Sequence, residues 1–212
     1  FTEVKNAIET FTTNLKPRVE KKRKTSTIKP IFEQKIHKHF DREQCHIVIG
    51  KAAFKTNDKE DLHLKMLTAH LSGQSSELFV EVRDRQGLCY AVQPLHHAAL
   101  EGGYFGIYIG AGHDKKESAI KAIKDILNKL AKDGLTNEEF NRIKIMIDGQ
   151  NLLNVQTIED YANFYSISVL HDLGLDYQHK TLAQINKIKV TEFNNFLKKF
   201  LTPNWNIVTV GP

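Results

Sequence analysis

The hydrophobic pattern of this chain changes its period near Asp114. Before that point apolar residues alternate, most regularly in GYFGIYIGAG (103–112), where Phe105, Ile107 and Ile109 share one face. After it they recur at the helical spacing of about 3.6, beginning with Ala119, Ile123, Ile126, Leu127 and Leu130. Strands and helices therefore come in separate runs. This predicts an α+β fold, a two-layer sandwich of a largely antiparallel sheet packed by helices.

Periodicity and capping signals predict the individual elements. In the strand predicted at 88–94, alternation places Leu88, Tyr90 and Val92 on one face. The glycine-rich connection at 101–103 predicts that this strand and 103–112 form an antiparallel pair. The other strands are predicted within 28–40 and at 46–54 and 205–210. Helices are predicted at 1–15, at 58–71, around Leu78, Phe79 and Val82, from 114 to Gly134, from a capping box at Thr136–Glu139, from Thr157 to near Gly174, and from Thr191 to Pro203.

The charge distribution predicts where the domain begins. Hydrophobic residues make up 41% of the 212, enough for one core. The basic run KPRVEKKRK (16–24) precedes the first clear strand. We therefore predict an N-terminal arm and charged linker over 1–26 and one domain over 27–212. The run could bind nucleic acid, but no aromatic residues interleave it, which favours a solvated linker and predicts no nucleic-acid partner. No stretch is long and apolar enough to cross a bilayer, so no membrane contact is predicted. The compartment stays open between a bacterial cytoplasm or periplasm and an organelle.

The reactive side chains do not form a recognisable site of their own. None of the ten histidines belongs to an H-x-x-E-H or H-E-x-x-H pattern, and the closely spaced pairs His37/His39 and His96/His97 have no third ligand nearby. Ser72, Ser75 and Ser76 do not form a G-x-S-x-G elbow. Cys45 and Cys89 lie in segments predicted as strands and are interpreted as small buried apolar residues. We therefore expect no metal and no cofactor in this chain.

The stretch LSGQSSELFVEVRDRQGLCY (71–90) contains the candidate site. Arg83 ends a short helix, Gly87 breaks it, and Tyr90 opens the next strand. From the residues alone, the favoured interpretation is a surface Arg83 paired with Asp84 or Glu81 and a half-buried Tyr90 in the sheet.

A family resemblance changes this interpretation. The stretch, with EGGYFGIYIGAG and the closing FLTPNWNIVTVGP, resembles the C-terminal half of the pitrilysin-type zinc metallopeptidases, over about residues 27–212. The resemblance implies that two similar halves close around a peptide. The N-terminal half holds zinc and the general base, while an arginine and a tyrosine of the C-terminal half reach the substrate carbonyl. Arg83 and Tyr90 fall on those two positions.

The resemblance implies a substrate-binding, non-zinc domain of a metalloendopeptidase, inactive alone. Its expected partners are a peptide substrate and a zinc-bearing N-terminal half, on the same polypeptide or on a partner subunit. Two alternatives stay open at this point. One is a catalytically inactive scaffold of the same family, and the other is a basic nucleic-acid-binding module.

Overall fold

The computed structural model describes residues 1–16, 29–153 and 155–212. Within these ranges the strands are β1 (Lys35–His39), β2 (Gln44–Ala53), β3 (Ala91–Ala98), β4 (Gly103–Gly112) and β5 (Asn206–Gly211). The helices are α1 (Thr2–Thr13), α2 (Lys59–Leu71), α3 (Lys116–Asp133), α4 (Asn137–Leu153), α5 (Ile158–Leu170), α6 (Tyr177–Lys187) and α7 (Val190–Phe200). A π-helix, Leu78–Arg85, and a short 3₁₀ turn, His113–Lys115, complete the elements.

The five strands form one sheet in the order β1-β5-β2-β4-β3. β2 pairs antiparallel with both β4 and β5, and β3 pairs antiparallel with β4. Only the β1–β5 pairing among the described strands is parallel. The prediction of a largely antiparallel sheet is therefore confirmed, as is the predicted pairing across the Glu101-Gly102-Gly103 connection.

The helices cover one face of this sheet. Phe105, Ile107 and Ile109 of β4 point to that face and are fully buried, as the alternation predicted. The α3 residues predicted to face inward are all buried, and Gly134 ends that helix with a positive φ of 67°. The Thr136–Glu139 capping box is also present, since Glu139 accepts from the Thr136 backbone N–H at 2.8 Å. The α+β sandwich predicted from the sequence is confirmed.

Two glycines allow the central strands to approach closely. Gly50 of β2 lies opposite Gly106 of β4. A Cβ built on Gly106 would lie 3.0 Å from the carbonyl oxygen of Ile49, and one on Gly50 would lie 3.0 Å from the carbonyl oxygen of Phe105. The glycines of EGGYFGIYIGAG therefore have a packing role, as their spacing indicated.

Three details differ from the predictions. β3 begins at Ala91 rather than at Leu88, because the chain first completes the turn at Gly87. Cys89 therefore precedes the strand, although it is buried like Cys45, and both thiols are free. The helix predicted from Thr157 corresponds to α5, whereas α6, which follows a turn that includes Gly174 with a φ of 82°, was not predicted.

Helix α1 buries none of its residues. The basic linker and the boundary at residue 26 lie outside the described residues, so the division into an arm and a domain stays a prediction. In the described ranges, no helix has the length and apolar character needed to cross a membrane.

Candidate functional site

The candidate site is built on the π-helix and the turn that follows it. Leu78 and Val82 anchor the helix because both are buried in the core. The backbone N–H of Gln86 donates to the Glu81 carbonyl at 3.2 Å, and that of Leu88 donates to the Val82 carbonyl at 2.9 Å. Backbone hydrogen bonds that reach back five residues or more are typical of π-helical segments, which occur frequently at functional sites.

Gly87 reverses the chain between helix and strand. Its φ is 57°, in the left-handed region that glycine adopts without strain. The Lys115 ammonium donates to the Gly87 carbonyl at 2.8 Å and ties the turn to the segment that leads into α3. The helix can therefore end at Arg85 and the strand begin at Ala91, only a few residues later.

The Arg83 side chain is exposed and packs over the ring of Phe79. Its guanidinium carbon lies 4.7 Å from the ring centroid. Glu81 is paired with Arg85 instead. Among the residues that the structure describes, no carboxylate lies within 4.0 Å of the Arg83 guanidinium. The expected surface salt bridge of Arg83 is therefore not formed, and its N–H donors face solvent.

Tyr90 stands immediately before β3. Its backbone N–H donates to the Gly110 carbonyl at 2.8 Å, which fixes the residue against β4. Its side chain is 65% exposed, whereas Leu88 and Val92 are partly buried against the core. The sequence interpretation of Tyr90 as half-buried beside Leu88 and Val92 is therefore wrong. The regular alternation of the strand begins only after it.

Cys89, a buried residue, precedes Tyr90 in the chain. Burial raises the pKa of its thiol, and the nearby positive charge of Arg83 acts in the opposite direction. A planar cation and a phenolic hydroxyl can both donate hydrogen bonds to an oxygen that gains negative charge.

Several histidines make packing contacts or hydrogen bonds to other strands and helices. His37 contacts the Thr209 hydroxyl at 2.9 Å, and His46 contacts the Tyr108 hydroxyl at 2.8 Å. His63 is buried between α2 and α7 and stacks on Phe196 with ring centroids 4.9 Å apart. Across residues 1–16, 29–153 and 155–212, no group of three or more His, Cys, Asp or Glu residues could hold a metal ion. The donor set of the described residues does not fit zinc.

A buried ionic cluster lies beneath β3 and was not predicted from the sequence. Asp61 of α2 is 1% exposed, accepts from His96 Nε2 of β3 at 2.8 Å and pairs with Lys65 at 2.9 Å. Burial acts to raise the pKa of Asp61, but His96 and Lys65 outweigh it and hold that pKa below its usual value. The Asp61/Lys65 spacing of four residues was readable from the sequence, whereas the contact with His96 depends on tertiary packing. The cluster joins α2 to the same strand that Tyr90 precedes.

The sheet with helices on one face is the fold expected for the non-zinc domain of a pitrilysin-type metallopeptidase. Residues 2–147 match the family model described as "Peptidase M16 inactive domain". The chain belongs to this family.

Several proteins with similar sequences are named as zinc proteases. The chain is 26% identical over 194 residues to the uncharacterized zinc protease YmxG of Bacillus subtilis, covering 89% of this chain and 46% of that protein. It is also 26% identical over 161 residues to a Helicobacter pylori protein named a non-peptidase homolog, covering 74% of this chain and 37% of that protein. The chain thus spans about half the length of the curated relatives it matches, or less.

A solved structure shows the same fold. The crystal structure of a peptidase M16 inactive domain from Pseudomonas fluorescens aligns with a TM-score of 0.75 at 20% identity, covering 86% of this chain and 45% of that chain. At this identity the likeness concerns the fold alone. The family match and the names of the relatives identify the chain as an inactive peptidase domain of a zinc protease family.

Proposed function

We propose that this chain is the substrate-binding, non-zinc half of a zinc metalloendopeptidase and that Arg83 and Tyr90 complete an active site whose zinc lies on another domain. That domain belongs to the same polypeptide or to a partner subunit. The observation that carries the proposal is the exposure of the Arg83 and Tyr90 side chains. Both side chains are exposed, and Arg83 is not neutralised by a carboxylate of the described residues.

The chemistry of peptide hydrolysis gives the pair its role. Attack of water on a peptide carbonyl puts negative charge on the carbonyl oxygen, and donors already aimed at that oxygen lower the barrier. If zinc is bound to the other domain, it would supply the activated water and polarise the same carbonyl. Arg83 supplies a permanent charge that needs no protonation step. Tyr90 supplies one neutral O–H donor on a residue that the backbone bond to Gly110 holds in place.

One observation favours a second candidate, a scaffold without peptidase activity. The Helicobacter pylori relative is named a non-peptidase homolog. In a scaffold, Arg83 and Tyr90 would be surface residues, and their replacement would change no reaction rate. The two candidates therefore differ in turnover, not in fold.

Measurements of metal content and peptide hydrolysis test whether zinc binding and cleavage require the other domain. The 212-residue chain alone should bind no stoichiometric zinc and hydrolyse no peptide, because its described residues offer no ligand set. The assembled protein, containing this chain and its zinc-bearing domain, should bind zinc and cleave an unfolded fluorogenic peptide in a chelator-sensitive way. One tightly held zinc per 212-residue chain, with chelator-sensitive cleavage by that chain alone, would contradict the proposal. An assembled protein that holds zinc but cleaves none of a broad peptide library would favour the scaffold.

A further inference from the structure

His63 is a buried histidine in an aromatic environment. Its side chain is 5% exposed. The imidazole stacks against two rings of α7, with centroids 6.2 Å from that of Phe193 and 4.9 Å from that of Phe196. Both ring nitrogens are buried, and neither makes a well-formed hydrogen bond to the described residues. A buried polar group without such a bond is unfavourable, so an apolar ring would pack here at lower cost. Departures of this kind are expected at sites that serve more than packing.

The charged groups that act on His63 come from its own helix and from α7. Lys59 and Glu60 precede it on α2, and Glu192 lies in the first turn of α7. Glu192 Oε1 is 3.7 Å from His63 Nε2, too far for a hydrogen bond, and pairs with the Lys59 ammonium at 3.1 Å. The aromatic contacts with α7 therefore surround a neutral imidazole, with one carboxylate at their margin.

The other elements packed on α2 meet charged groups at other positions of the helix. These are Asp61 and Lys65, which contact His96 of β3 and Tyr177 of α6, and His70, which lies near Glu139 and Arg142 of α4.

Burial is the main influence on the charge of His63. It lowers the pKa of the imidazole below its usual 6.5, while Glu192 and the Lys59 carbonyl act in the opposite direction. A histidine whose pKa is lowered by burial binds a proton more tightly once it is exposed. Contact between α2 and α7 is therefore favoured while His63 is neutral, and this contribution is lost as the pH falls below about 6.5 toward the folded pKa.

The C-terminal end of α7 is held by a different group. The buried Lys51 ammonium of β2 donates to the Thr202 carbonyl at 3.0 Å, to Asn204 Oδ1 at 2.7 Å and to the Phe200 carbonyl. Burial lowers the pKa of Lys51 to about 8, so it stays protonated throughout the acidic range. These bonds tie the loop between α7 and β5 to the central strand, whatever the charge of His63.

We propose that His63 is a pH-sensitive contact and that its protonation releases the N-terminal half of α7 from α2 while the sheet stays folded. An imidazolium between two phenyl rings gains solvent as its partner when this half of the helix moves away. The response falls in a range of mild acid where ordinary aspartate and glutamate side chains remain ionised. The inference concerns the described chain itself and does not rest on the proposed function.

Hydrogen exchange of the backbone amides tests the proposal in the 212-residue chain. Exchange is followed from about pH 7.5 to about pH 5, and each rate is compared with the intrinsic rate at the same pH to give a protection factor. Uptake of one proton changes an opening equilibrium by at most about tenfold per pH unit. We expect the protection factors of the N-terminal half of α7 to fall with a slope up to this limit below about pH 6.5, and those of β2 and β4 to stay constant.

Three variants assign the response to His63. His63→Phe should abolish it, because the phenyl ring keeps the stacking and binds no proton. His70→Gln is the matched control, since burial also lowers the pKa of this second α2 histidine, which lies near α4; the response of α7 should be unchanged. Glu192→Gln should enlarge the fall in protection, because Glu192 favours the protonated ring and its loss lowers the pKa of His63 further.

The opposite results would overturn the proposal. Protection of α7 that is independent of pH, or that changes equally in the His63→Phe variant, would exclude His63 as the sensor. A His63 pKa above 6.5 in an NMR titration of the imidazole would show that Glu192 or the phenyl rings hold the charged form in place. Protection lost equally in α7, β2 and β4 would mean that the whole domain unfolds, which also rejects a local release.

Discussion

Replacing Tyr90 with phenylalanine in the assembled enzyme should lower kcat and leave stability almost unchanged. The side chain is 65% exposed, so the ring contributes little to the core. The backbone bond from Tyr90 to Gly110 does not involve the hydroxyl. Surface substitutions of this kind change the free energy of unfolding by about 0.5 kcal/mol or less. Loss of one donor to a developing oxyanion costs about 100- to 1,000-fold in kcat, or roughly 3–4 kcal/mol. The catalytic effect should therefore exceed the stability effect several times.

The assay is steady-state hydrolysis of a fluorogenic peptide, with the folded fraction measured by thermal melting. Tyr104→Phe is the matched control, since Tyr104 is a 51% exposed tyrosine on β4, near the far end of the β3–β4 pair. We expect its kcat to stay within about twofold of the unsubstituted enzyme, as for a surface change. If Tyr90→Phe leaves kcat per folded molecule unchanged, the tyrosine does not stabilise the transition state. If it lowers the melting temperature instead, its hydroxyl has a structural partner in the assembly.

Arg83→Ala should reduce kcat about 100-fold or more and also raise KM. Arg83→Lys should restore only part of the lost kcat, since an ammonium lacks the planar fork of donors. Equal kinetics for the unsubstituted enzyme and both variants would exclude a catalytic role for Arg83. Deleting residues 1–24 should leave a cooperative thermal transition, because α1 buries none of its residues; a molten product would show that the arm belongs to the core. Asp61→Asn should lower the free energy of unfolding by about 2 kcal/mol near neutral pH, because the cluster with Lys65 and His96 loses its charge. The pKa of Asp61 is lowered in the folded state, so its stabilisation is present above the unfolded pKa of about 3.9 and lost as pH falls through the folded pKa. Urea unfolding at pH 7 and below pH 4 should show the two proteins converging at low pH, and a constant difference would contradict this.

The sheet was predictable because its signals are local. Alternation in β4 exposes one face to the helices, and the Glu101-Gly102-Gly103 connection pairs β4 with the strand before it. The capping box at Thr136 and Glu139 likewise depends on residues three positions apart. Such features need no knowledge of the rest of the fold, so the sequence predicts them correctly.

Features that depend on distant residues were not predictable. The Asp61–His96 contact joins residues 35 positions apart, and nothing in either segment indicates the other. α6 was not predicted because it has few apolar positions. Gly174 was interpreted as the end of one helix, whereas it lies in a turn between two helices. The 65% exposure of Tyr90 follows from where β3 begins, which the Gly87 turn decides and alternation alone does not.

The absence of an ion pair between Arg83 and a described carboxylate is partly predictable from the sequence, because it depends on spacing within one helix. Residues four apart lie on the same side of a helix and can interact. That rule pairs Phe79 with Arg83 and Glu81 with Arg85, and both contacts occur in the structure. A salt bridge between Arg83 and Glu81, two positions apart, would have crossed the helix. The spacing thus separates the two arginines: Arg85 pairs with Glu81, while Arg83 packs over the Phe79 ring and has no carboxylate partner among the described residues. Under the proposed function, a guanidinium that is not paired with a carboxylate of the described residues would meet a substrate carbonyl without first breaking an ion pair.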